Sequence, residues 1–130
     1  MSRPILCLDF DGVIHSYTSG WKGADKVPDP PVEGAIEFII TASEHFTIAI
    51  FSSRSNQSGG IAAMYDWLKD HWIDYGHAVP ATGRWEIFNA IQWPKEKPPA
   101  FLTVDDRVYL FEGKWPTIDE IVEFKPWYKK

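Results

Sequence analysis

The run Ile5-Leu6-Cys7-Leu8-Asp9-Phe10-Asp11-Gly12 limits what this chain can fold into more than any other stretch. Four apolar residues lead without interruption into two carboxylates one residue apart and then a glycine. A short apolar run beside turn chemistry fits a strand buried on both faces, as in a parallel sheet, and not an amphipathic helix. The acids then stand at the strand's C-terminal end, where open α/β sheets bind their ligands. If strand geometry continues through Asp11, Asp9 and Asp11 point the same way and Phe10 the other. Two carboxylates so close repel each other, and a shared proton or a hard divalent cation such as Mg2+ relieves the repulsion. Gly12 lets the chain turn sharply just beyond them. An ordinary Asp-Gly turn is the plainer alternative, but it accounts for neither the second acid nor the apolar lead.

Downstream, residues 13–31 hold Gly20, Gly23, Pro28, Pro30 and Pro31 together with Tyr17 and Trp21, which predicts a loop or short hairpin projecting over the strand end. Val32, Ala35, Ile36, Ile39 and Ile40 recur at helical spacing behind the prolines and predict a crossover helix. Phe46 to Phe51 is β-branched and apolar and reads as a second buried strand, ending in Ser52-Ser53-Arg54-Ser55. Ile61, Met64, Tyr65, Leu68 and Trp72 then share one helical face, with Ser58 or Asn56 as its cap. Between 73 and 93 the pattern is weak: a helical turn within Thr82 to Phe88 and a short strand at Ala90 to Trp93 are the readings available. Ala100 to Val104 is a further strand that stops at Asp105-Asp106-Arg107, and Val108 to Phe111 reads as an edge strand. Thr117 with Glu120 forms a capping box for a last helix through about Phe124. Alternation of strand and helix predicts a parallel α/β sheet with right-handed crossovers.

At 130 residues and 45% hydrophobic content the chain is expected to be one domain, residues 1–130, with a core that needs no disulfide help. Its single cysteine, Cys7, lies inside the first strand, which fits a reducing, cytoplasmic setting. The apolar run ahead of Asp9 is too short for a signal peptide, and no stretch of about 18 apolar residues is present to span a membrane. A net charge of -5 argues against strong non-specific binding to nucleic acid.

Three strands end in polar groups: Asp9 with Asp11, Ser52 with Ser53, and Asp105 with Asp106. A parallel sheet brings all three ends to one edge, with Lys95 and Lys97 just ahead of the third strand. In this order of elements, Asp9-x-Asp11-Gly12, Ser52, Lys97 and Asp105-Asp106, the chain resembles the haloacid dehalogenase-like (HAD) superfamily of phosphohydrolases over nearly its whole length.

The resemblance implies a three-layer α/β/α sandwich around a mostly parallel, Rossmann-like sheet. It also implies a chemistry. Asp9 is the expected nucleophile, forming an aspartyl-phosphate, and Asp11 the general acid and then base. Asp9, Asp105, Asp106 and the backbone carbonyl of Asp11 are the expected Mg2+ ligands. Ser52 is expected to hydrogen-bond a phosphoryl oxygen and Lys97 to neutralise another while pairing with Asp9, with Lys95 as the alternative lysine. Ser53, Arg54 and Arg107 are candidate substrate contacts, although either arginine has the acids as an alternative partner. Tyr17 and Trp21 are candidates for stacking on a substrate ring.

Only 42 residues separate Asp9 from Ser52, and 44 separate Ser52 from Lys97, which leaves little room for a separate cap domain. Residues 13–31 are then the only flap. The expected function is a Mg2+-dependent phosphomonoesterase acting on a phosphorylated small molecule, with nucleotides or nucleic-acid ends as an alternative substrate class. A non-catalytic module that binds Mg2+ or phosphate and works through a partner is the alternative of a different kind. The four histidines show no metal-ligand spacing and receive no chemistry, and the oligomeric state is left open.

Overall fold

A computed structural model describes residues 3–129. Three short strands, β1 (Ile5–Leu8), β2 (Thr47–Ile50) and β3 (Leu102–Val104), form an open, all-parallel sheet in the order β2-β1-β3. Leu8 stands opposite Ile50 on one side and Val104 on the other, so the three strands end nearly level. The chain leaves β1 toward β2 and later returns to the other side of β1, which makes the end of β1 the point where strand order reverses. Open α/β sheets bind ligands at such switch points.

Between the strands run α1 (Ala35–Ala42), α2 (Gly60–Ala78) and α3 (Arg84–Ala90), and a short α4 (Ile118–Val122) follows β3. Helical spacing did locate the buried stripes. Ile36, Ile39 and Ala42 of α1 and Met64, Leu68 and Trp72 of α2 join Leu6, Leu8, Ile48 and Ile50 of the sheet in one core. The expected capping box is present on α4, where Thr117 accepts from the Glu120 N–H and the Glu120 side chain accepts from the Thr117 N–H. Among the described residues no helix is long and apolar enough to cross a membrane.

Several expectations need correction. Neither Ser58 nor Asn56 caps α2; Gly59 holds that position in the left-handed region with φ 77°, and no side chain caps the helix. The expected strand at Val108–Phe111 does not form: its four residues are exposed and pair with no strand, and β-propensity without a neighbour makes no ladder. Ala90–Trp93 shrinks to a single bridge between Gln92 and Ala49, because α3 runs to Ala90 and Pro94 has no N–H to extend the pairing. β1 ends at Leu8, so Asp9 and Asp11 do not share a strand face.

Two glycines of α2 make opposite demands. A methyl on Gly60 would overlap the backbone carbonyl of Arg54, whereas one on Gly76 would meet nothing. Gly60→Ala is therefore expected to destabilise the protein by about 1–3 kcal/mol. Gly76→Ala is expected to stabilise it by about 0.5–1 kcal/mol. Urea or thermal unfolding of the two variants measures both signs.

Candidate functional site

Asp9 directly follows β1 and Asp105-Asp106 directly follow β3, so the pairing of these strands decides that the three acids meet. The Asp9 N–H donates to the Val104 carbonyl at 2.9 Å and carries the pairing one residue past the strand. One carboxylate oxygen from each of Asp9, Asp105 and Asp106 lies within 4.8 Å of the others. Burial of Asp9, its hydrogen bond with Asp106 and the charge of Asp105 push its carboxyl up from 3.8 to about 9. Without a cation, Asp9 thus keeps a proton at neutral pH. An all-oxygen set of three carboxylates matches a hard divalent ion, which relieves the same repulsion without the proton. Gly12, at φ 80°, makes this approach possible, since a side chain there would collide with the Asp106 carboxylate and with the Tyr128 ring.

Asp11 is turned away from this cluster. His15 Nδ1 lies 2.9 Å from its Oδ1, and the Arg54 Nε–H donates to its Oδ2 at 2.9 Å. The Asp29 N–H donates to His15 Nε2 at 3.0 Å, which leaves Nδ1 to carry the proton given to Asp11. Burial pushes the Asp11 carboxyl up, but the hydrogen bonds from His15 and Arg54 and the Arg54 charge outweigh it and hold the group below its ordinary value. Arg54 itself is fully buried. Its Nη1 donates at 2.9 Å to the carbonyls of Gly23, Ala24 and Lys26, and its guanidinium stacks 4.9 Å from the Trp21 ring. Of the two arrangements left open for Arg54, the structure has the pairing with an acid. Trp21 lies against Arg54 on one side and is half-exposed on the other.

Ser52 follows β2 and is buried. Its Oγ accepts the Arg54 N–H at 3.2 Å while its own N–H donates to Ser55 Oγ, so its hydroxyl proton remains to be given elsewhere. Ser53 is exposed, with its carbonyl taken by the Gln57 side chain. Lys97 is exposed and forms no ion pair with Asp9 among the described residues, contrary to expectation. Lys95 instead lines a groove with the 55–59 loop and the first turn of α2. Arg107 is exposed; its N–H donates to Asp105 Oδ1 at 3.0 Å and its guanidinium reaches the Tyr128 hydroxyl at 3.4 Å.

Four residues of this site escaped the sequence reading. His15 and Asp29 hold Asp11 through a turn whose shape no periodicity announces. Trp127 and Tyr128 belong to a short 3-10 helix (Trp127–Lys129) that packs on the Asp9–Gly12 turn: Trp127 Nε1–H donates to the Gly12 carbonyl at 2.7 Å, and the Tyr128 ring meets Tyr17 edge to face at 6.0 Å. An aromatic pair after a proline carries no local cue to a partner 115 residues away.

A divalent cation is expected to raise the melting temperature of the protein, and Asp105→Asn to remove that rise, both read by thermal unfolding with Mg2+ or EDTA. The raised Asp9 value also sets a pH dependence. In metal-free protein its contribution to stability is full below 3.8 and is lost as pH climbs toward about 9. Asp9→Asn flattens that decline in the same melts.

No family model matches this chain, and no curated protein or solved structure shows significant similarity to it, so a function must be argued from its own residues.

Proposed function

We propose that this protein is a Mg2+-dependent phosphomonoesterase that works through an aspartyl-phosphate on Asp9. The observation that carries the reading is the gathering of the Asp9, Asp105 and Asp106 carboxylates at the end of β1, an all-oxygen set suited to a hard cation that would ionise Asp9. Asp11 stands outside this set, held below its ordinary value by His15 and Arg54, so its acid/base role requires the substrate's negative charge to raise it. In the same reading the fold is a HAD-like three-layer sandwich without a cap domain, with residues 13–31 as the flap. A cytoplasmic setting fits the lone, buried Cys7.

Asp9, Asp105 and Asp106 would hold the Mg2+, and the Asp11 carbonyl, which takes no backbone N–H among the described residues, would be a fourth donor. The ion supplies charge neutralisation for the attacking carboxylate and the transferring phosphoryl group. Asp9, its proton given up to solvent as the cation binds, forms a bond to phosphorus while the bond from phosphorus to the ester oxygen breaks. Asp11 takes up a proton as the anionic substrate arrives, gives it to that oxygen, and as the carboxylate then accepts one from the water that frees phosphate. The Ser52 hydroxyl donates to a phosphoryl oxygen. Lys97, exposed on the segment before β3, is the assigned cation and would have to turn toward the bound phosphate, with Lys95 as its alternative and with Ser53 and Arg107 at the substrate's outer side.

Tyr17 and Tyr128, meeting at the rim beside Asp106, favour nucleotides or nucleic-acid ends within this class, because they offer aromatic surface next to the phosphate position.

Release of phosphate from p-nitrophenyl phosphate, nucleotides and end-phosphorylated oligonucleotides tests the proposal. Turnover is expected with Mg2+, none with EDTA, and a loss of about a thousandfold or more in Asp9→Asn. Equal turnover by Asp9→Asn, or turnover unaffected by EDTA, rules the mechanism out.

A further inference from the structure

Of the eighteen large apolar side chains left exposed among the described residues, thirteen lie between Phe101 and Trp127, and three of these, Phe101, Leu102 and Val104, are on or next to β3. Phe101 is 72% exposed and Leu102 56%. Strands of a parallel sheet are ordinarily covered on both faces, and β3 departs from this. Beside it a groove is lined by Leu8, Val13, Ile14, Val32, Phe38 and Val104, with Phe38 also half exposed.

The edges of the sheet differ. The outer edge of β2 is closed by Gln92, which donates to the Ile48 carbonyl and accepts from the Ile50 N–H. The outer edge of β3 pairs with nothing among the described residues. Nor does Phe101-Leu102-Thr103-Val104 carry the lysine, proline or bulge with which proteins blunt an exposed edge. Pro98 and Pro99 close one end of the pairing stretch, and Asp105 and Asp106 close the other.

Surface area points the same way. The chain exposes 8612 Å², where a folded monomer of 14.9 kDa exposes about 7,000 Å². The excess of about 1,600 Å² is what one protomer buries in an obligate dimer.

We propose that β3 is a dimerisation edge: two chains pair their β3 strands antiparallel about a two-fold axis near Thr103, making one six-stranded sheet and burying Phe38, Phe101, Leu102 and Val104. A second copy fits better than another partner for two reasons. A two-fold axis supplies the antiparallel strand that this edge needs from the same sequence. With one open edge among the described residues of each chain, the pairing closes at two copies and does not run on into a filament. The two acid clusters then face opposite ends of the joined sheet, so the proposal stands apart from the enzymatic one.

Sedimentation equilibrium of the purified chain tests it. The expected mass is twice that of the 14.9 kDa chain. Leu102→Lys and Phe38→Lys, both at exposed positions, are expected to weaken the dimer by tenfold or more while keeping the helical circular dichroism of the parent. Hydrogen exchange on the unmodified chain reads the same edge: amides of residues 102–104 slow at high concentration and quicken on dilution. A monomer up to the solubility limit overturns the proposal and leaves the face to a different partner. So does a dimer that both folded variants preserve, or exchange at 102–104 that ignores concentration.

Discussion

Repulsion between carboxylates at the end of β1 is the force that the surrounding structure has to contain. The hydrogen bonds joining β1 to β3 hold Asp9 beside Asp105 and Asp106 whether or not the charges agree to it, and Asp9 answers by keeping a proton. Strand pairing, a backbone effect summed over several bonds, thus determines the protonation of a side chain. Gly12 belongs to the same constraint, since a side chain there would overlap the Asp106 carboxylate and the Tyr128 ring.

Asp11 shows the opposite solution within the same turn. Its charge is not relieved but held, by a hydrogen bond with the His15 imidazole on one oxygen and by a buried guanidinium on the other. A buried arginine is costly unless its donors are used. Arg54 uses Nε on Asp11 and Nη1 on three carbonyls of the 23–26 segment, while Nη2 is buried without a partner among the described residues, so one side chain joins the acid to the loop that overlies it.

What the sequence made legible was whatever is periodic or contiguous. The apolar runs located β1, β2 and β3, helical spacing located the buried faces of α1 and α2, and the parallel arrangement brought Asp9 and Asp105-Asp106 together as expected. The divergence of Asp9 and Asp11 was not legible, because it depends on the strand ending at Leu8 and on His15 folding back through a turn. Val108 to Phe111 misled for a related reason: its composition suits a strand, but a strand exists only where a neighbour is in place. Arg54 read as either a substrate contact or a partner of the acids, and nothing local revealed that the loop at 23–26 would close over it.

The hydrogen bond from Trp127 to the Gly12 carbonyl spans 115 residues. During synthesis, the turn bearing Asp9 and Asp11 emerges early and waits for β3 and then for the aromatic pair before its surroundings are complete. Such long-range closure slows folding, and it makes assembly of the acid cluster a late event on the ribosome. Until residues 105 and 106 have been added the Asp9–Gly12 turn lacks its β3 acids, and until residue 128 its aromatic cover, so a half-made chain cannot present the finished acid cluster.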